Sequence, residues 1–393
     1  MDPFSQGLLG SSLASSFSEK KSLRISAFCG AVAGTVPDLD ILIRSKEDTL
    51  LFIEFHRHFS HSLFFVPLGS IIVSLILYSL LRNITSFKNI FIYTTLGMLT
   101  HGFLDSCTSY GTLLLWPLSE LRVAWNIISI IDPIFTFTLV FFLFLSILKK
   151  SLMLVRLGLA VSLIYLGFGA VKYMQVKDYV TELASQRGHK IERILLNPTI
   201  GNNILWRSIY QFNKNYYVDA IYMPLTKKSS HLEGVVLEVI DKEKVFSKLS
   251  PKSLQREDIR RFSYFSQDFI YLHPDYPNAI ADLRYGTLPH DYKSLWGIQV
   301  DIDNQDNHVS FKSLRNFTKN NYEDFWNMLG YKFWLQDDKV LNVKTFSGPM
   351  GMGLAKSFYL NSKKICVYNT INGQEKIILD SIILSCPKNL NDK

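Results

Sequence analysis

Apolar positions are unevenly spread along this chain. Between residues 22 and 174 they form long runs separated by short polar connections, at 22–43, 62–81, 89–107, 127–148 and 152–174. Runs of this length suit helices that cross a bilayer. Beyond about residue 175 the pattern changes to apolar and polar residues in alternation. The expected architecture is a membrane α-helical bundle of about five transmembrane helices followed by a soluble α+β C-terminal domain. Its parts are an N-terminal membrane-associated segment, 1–21, a transmembrane domain, 22–174, and an extracytoplasmic domain, 175–393.

Residues 1–21 (MDPFSQGLLGSSLASSFSEKK) place their basic residues after the apolar ones, the reverse of a cleaved signal peptide. They suit a short helix lying against the membrane. The first run is rich in small residues that permit close helix packing, and Pro37 should end or kink it, leaving Asp38 and Asp40 near its end. Periodicity alone also allows this run to be re-entrant, which would reverse the topology of everything after it. In the tail, YYVDAIYMPL, HLEGVVLEVI, KSLWGIQVDI and KKICVYNTI read as strands, and REDIRRFSYFSQDF as a helix.

Composition supports the membrane reading: 48% of the 393 residues are apolar and mean hydropathy is +0.12. The net charge of +8 comes without a long basic run or an aromatic-basic repeat, which argues against nucleic acid. Short connections on one side hold Lys20, Lys21, Arg24, Arg82, Lys88, Lys149, Lys150 and Arg156. The other side holds Arg44, Lys46, Arg57 and Arg122. That bias of about two to one sets the N-terminus inside and, with five spans, the tail outside. An extracytoplasmic tail would permit a Cys366–Cys386 disulfide.

Ionisable residues gather at one end of these spans. Asp38 and Asp40 end the first, His61 begins the second, His101 and Asp105 end the third, and Asp132 begins the fourth, so all fall on the outer face. His101 and Asp105, at i, i+4, share a helix face. Asp38 and Asp40, at i, i+2, could chelate or bridge if the chain is extended after Pro37. Imidazole with carboxylate suits zinc, and manganese or iron as alternatives. Arg57 stands where it could hold an anionic group by paired hydrogen bonds. His58 is the weakest histidine of the group, and Asp132, before Pro133, is as readily a helix cap. His189, His231, His273, His290 and His308 are scattered through the tail and read as surface residues.

The motifs MDPFSQGLLGSSLA, PDLD, HRHFSHS, HGFLDSCTSYGT and IIDPIFT together resemble the membrane-bound metal-dependent hydrolases of bacteria, the YdjM-like inner-membrane hydrolases. NPTIGNNILWRSIY and ADLRYG are similar to the tail of longer members. The resemblance implies a multi-pass protein of the bacterial inner membrane with a metal centre of several histidines and aspartates. Its motifs fall on Asp38 and Asp40; on His56, Arg57, Ser60, His61 and Ser62; and on His101 and Asp105. At position 6 the chain has Gln where some members have His, and an amide binds zinc poorly. A more distant similarity to the zinc-dependent phospholipase C and P1-nuclease class favours phosphoester hydrolysis.

The expected function is metal-dependent hydrolysis at the outer membrane face, of a phosphoester in a lipid or envelope component. Asp38, Asp40, His56, His61, His101 and Asp105 would supply the metal ligands. Asp40 or His56 would supply the base, and Arg57 would bind the substrate anion. The rivals are a non-catalytic membrane protein with a structural metal site and a metal or proton transporter. Membrane lipids are the expected partners.

Overall fold

A computed structural model describes residues 1–334, 340–346, 353–360, 363–371, 373–379 and 386–387. The chain forms two compact units: Met1–Gln175 with Asn197–Asn203, and Val176–Leu196 with Ile204–Lys393.

The first unit is helical. Its helices are α1 (Pro3–Ser16), α2 (Leu23–Thr35), α3 (Leu51–Phe55), α4 (Val66–Leu81), α5 (Phe87–Ser106), α6 (Pro133–Lys149) and α7 (Leu152–Gln186), the last continuing into the second unit. Asp2 caps α1 by accepting from the Ser5 amide at 2.9 Å, with Pro3 in the first helical turn. Helix α1 packs along α2 and α5, because its glycines and serines present little bulk. A Cβ on Gly10 would stand 2.4 Å from the Gly30 carbonyl oxygen, and one on Gly30 equally close to that of Gly10. The two backbones therefore touch.

Among the described residues, two stretches are long and apolar enough to cross a membrane, Lys20–Leu42 and Leu152–Gln186. A third is counted if Leu51–His61 and Val66–Leu81, bent by 88°, form one broken span. This falls short of the five expected. The α6 helix has only 17 residues. The α5 helix has 20, but interrupts its apolar run with Thr94, Thr95, Thr100, His101 and Asp105. As Pro37 suggested, α2 stops at Thr35 and gives way to a 3-10 turn, Val36–Leu42.

Among the described residues the second unit holds three antiparallel four-stranded sheets. The first joins β1 (Arg193–Pro198), β2 (Leu205–Phe212), β3 (Asn215–Tyr222) and β4 (Ser230–Glu238) in chain order. The second joins β5 (Ile270–Leu272), β6 (Ala279–Asp282), β7 (Trp296–Gln299) and β8 (Ser310–Ser313). The third joins β9 (Val340–Thr345), β10 (Gly353–Leu360), β11 (Lys363–Thr370) and β12 (Gly373–Leu379). Helix α8 (Leu254–Phe265) follows the first sheet, capped by Ser253. The four predicted strands and the predicted helix correspond to β3, β4, β7, β11 and α8. Ile209, Val218 and Val235 of the first sheet and Tyr271 and Ala281 of the second share one core. Cys366 and Cys386 are joined by a disulfide.

Two of the tail histidines are not surface residues. His273 is 6% exposed and His290 is 3% exposed. Burial pushes the His290 imidazole from its ordinary 6.5 down to about 4. The unfolded chain therefore takes up a proton near pH 6.5 and the folded chain only near pH 4. Stability should be full above pH 6.5 and decline as the pH falls towards 4, by about 3 kcal/mol at most. Burial lowers His273 as well, adding in the same direction. Urea midpoints read by tryptophan fluorescence should fall between pH 7 and pH 5, and less so in His290→Gln. A midpoint flat over that interval would contradict the assignment.

Candidate metal centre

Four side chains from three segments converge inside the helical unit: Asp38 from the 3-10 turn, His61 from the turn Phe59–His61, and His101 and Asp105 from α5. The His61 Nε2 atom lies 3.4 Å from Asp38 Oδ1 and 3.1 Å from Asp105 Oδ2. His101 Nε2 lies 3.4 Å and 3.5 Å from the same two oxygens. The two Nε2 atoms are 2.8 Å apart. A tetrahedral zinc site with bonds of about 2.0–2.1 Å has edges of about 3.3 Å. The four donors thus have nearly the spacing of such a shell.

The hydrogen bonds behind the imidazoles decide what the Nε2 atoms carry. His101 Nδ1 is 2.6 Å from the Gly34 carbonyl oxygen, which can only accept, so the ring hydrogen is on Nδ1. Ser60 Oγ gives its hydrogen to Asp40 Oδ2 at 2.8 Å and accepts from His61 Nδ1 at 3.0 Å. Asp40 Oδ2 itself lies 3.2 Å from that nitrogen. With the ring hydrogens on Nδ1, neutral imidazoles turn their Nε2 lone pairs towards each other and towards two carboxylates, an arrangement that a cation among them would relieve. Asp105 Oδ2, fully buried, makes no hydrogen bond among the described residues. An orphaned buried carboxylate oxygen beside two imidazole lone pairs is what a divalent ion would satisfy.

Asp40 and His56, read from the sequence as ligands, stand one step behind this group. The Asp40 carboxylate accepts from His56 Nδ1 at 2.8 Å, from the Arg57 amide at 3.0 Å and from Ser60. It supports His61 in the manner of a carboxylate–histidine–metal relay. After Pro37 the chain coils into a 3-10 turn instead of extending, and Asp40 turns to His56, Arg57 and Ser60 while Asp38 faces the two imidazoles. Arg57 is 4% exposed and in the left-handed region at φ 61°. It donates to Thr108 at 2.9 Å, lies 3.3 Å from Asp105 Oδ1 and stacks over Tyr110, while its Nε has no hydrogen-bond partner.

Asp132 takes no part in the group. It caps α6 by accepting from the Phe135 amide at 3.1 Å and from the Tyr165 hydroxyl at 2.8 Å. His58 packs against the Phe55 and Trp116 rings. Close backbone approach holds His61 against α5: a Cβ on Gly102 would stand 2.1 Å from the His61 carbonyl oxygen. Sequence reading noted Gln6 only as a poor zinc ligand and did not foresee that it reaches Asp105, nor the part played by the Gly34 carbonyl. A main-chain acceptor leaves no residue-type signal, whereas Gln6 lay within a quoted motif.

A Bacillus subtilis (strain 168) protein, YfhP, described as uncharacterized, is 25% identical over 265 residues, covering 65% of this chain and 75% of its own. No solved structure matches. The helical part of the chain is that of a membrane protein: residues 1–176, which contain every member of the cluster, match the family described as YdjM inner membrane protein.

Proposed function

We propose that this chain is an integral membrane metal-dependent hydrolase, with the ion held by Asp38, His61, His101 and Asp105. Zinc is the first choice and manganese or iron the alternatives. The observation that carries this reading is the convergence of two imidazole lone pairs and two carboxylates with near-tetrahedral spacing. A divalent cation there would supply Lewis acidity and make neighbouring water more acidic.

The remaining residues divide the work. His56 is bound through Nδ1 to Asp40, so Nε2 is left to take a proton, with Asp40 orienting the ring. Its side chain and that of Asp38 are each 19% exposed, whereas His61, His101 and Asp105 are sealed, which suits an opening on that edge. Arg57 holds Asp105 in its charged form and keeps one N–H, at Nε, for a substrate oxygen. The substrate class is a phosphoester in a lipid or envelope component. If the bent pair Leu51–His61 and Val66–Leu81 is one span, the three spans with the positive-inside bias would set the C-terminal unit outside a bacterial inner membrane. The disulfide supports that side.

In detergent, the purified chain should hydrolyse bis-p-nitrophenyl phosphate and stop when metal is chelated. His56→Gln should lower kcat by about 10²–10⁴-fold with metal content unchanged. Full activity in His56→Gln would contradict the assignment. A second reading, a structural ion, is favoured by the four protein donors that fill a tetrahedron. Wild-type protein with its ion bound but inert toward every phosphoester would establish that reading.

A further inference from the structure

We infer that Gln6 is a positioning residue that makes Asp105 a one-sided ligand and so limits the centre to a single ion. The inference rests on the proposed metal centre. Gln6 is fully buried on α1, and its Nε2 donates to Asp105 Oδ1 at 2.9 Å and to the His101 carbonyl at 3.4 Å. The same oxygen faces Arg57 Nη2 at 3.3 Å and the amino group of Met1. Donors thus crowd Oδ1, while Oδ2 has no hydrogen bond and faces the two imidazoles. A carboxylate divided in this way gives one oxygen to one ion and cannot bridge to a second.

The other carboxylate behind the site is equally committed, because Asp40 accepts from His56, the Arg57 amide and Ser60. Among the described residues Gln6 Oε1 has no hydrogen-bond partner, so the side chain acts through Nε2, on Asp105 and the His101 carbonyl. The position of α1 also links two ligands. A Cβ on Gly34 would stand 2.8 Å from the Gln6 carbonyl oxygen, and the Gly34 carbonyl holds His101 Nδ1. One close approach of α1 to α2 therefore sets the amide that turns Asp105 and the carbonyl that fixes the tautomer of His101.

The test is cobalt(II) titration of the full chain in detergent, read by metal content and by the visible ligand-field band. Wild type should bind one ion per chain. Gln6→Met, close in volume and equally helix-favouring, should bind about 10–100-fold more weakly with an altered band. Ser11→Ala, which removes another α1 contact, that of Ser11 Oγ with the Ala27 carbonyl at 2.8 Å, should leave cobalt binding unchanged. Equal affinity and an identical band in Gln6→Met would overturn the inference, as would two ions per wild-type chain, a result independent of whether the variant folds. Both of those outcomes leave the metal centre standing. A wild type that binds no cobalt would overturn the centre and the inference together.

Discussion

Replacing His61 with alanine is expected to reduce bound metal from about one ion per chain to background, the largest effect of any single change in the helical unit. The substitution removes a donor that lies within 3.4 Å of the other three and leaves Asp38 and Asp105 facing each other with less to neutralise them. Asp40→Asn should behave differently. All four donors survive, but the ring behind them loses its charged support, so affinity should fall about 10–100-fold while stoichiometry at saturating metal is kept. Metal analysis of the two variants after dialysis against graded chelator separates the tiers. Equal loss in both would mean that Asp40 is itself a ligand.

The second large effect belongs to the C-terminal unit. Arg207 is 4% exposed and has no carboxylate among its hydrogen-bond acceptors. Its guanidinium donates instead to the carbonyls of Leu283 at 3.1 and 2.9 Å, Leu288 and Pro289 at 3.1 Å, and Asp291 at 2.9 Å. Burial lowers its pKa to about 10, so it stays charged at neutral pH. Arg207→Met would fill similar space but leave four carbonyls without that partner. The expected cost is about 4 kcal/mol, a fall of about 8–16 °C in the melting temperature of a unit this size. Thermal unfolding followed by tryptophan fluorescence checks it. Arg207→Lys, with three donors, should fall between. A Met variant that melts with wild type would show that these carbonyls find other partners.

Parts of this structure were legible in the sequence for identifiable reasons. His101 and Asp105 could be paired because helical period alone puts i and i+4 on one face, and α5 is a helix there. Asp38 and His61 could be grouped with them by residue type and by their common end of the apolar runs. How Asp40 is engaged was not legible. It depends on which oxygen of Asp40 turns where, and that follows from a 3-10 turn after Pro37 rather than an extended segment. The number of spans was overread for a related reason. Composition counts apolar residues in a run, whereas α5 turns threonines, His101 and Asp105 into the bundle and α6 is short. In the tail, alternation marked β3, β4, β7 and β11. It could not show that His290 is buried, because a single histidine outside a periodic stretch carries no burial signal.

The central claim is that two imidazoles and two carboxylates hold one divalent ion. X-ray absorption at the edge of whichever ion copurifies with the detergent-solubilised chain tests it most directly. The expected shell is two imidazole nitrogens and two carboxylate oxygens at about 2.0–2.2 Å, with no sulfur. A shell containing thiolate at about 2.3 Å, a single imidazole, or the absence of any stoichiometric ion would contradict the account.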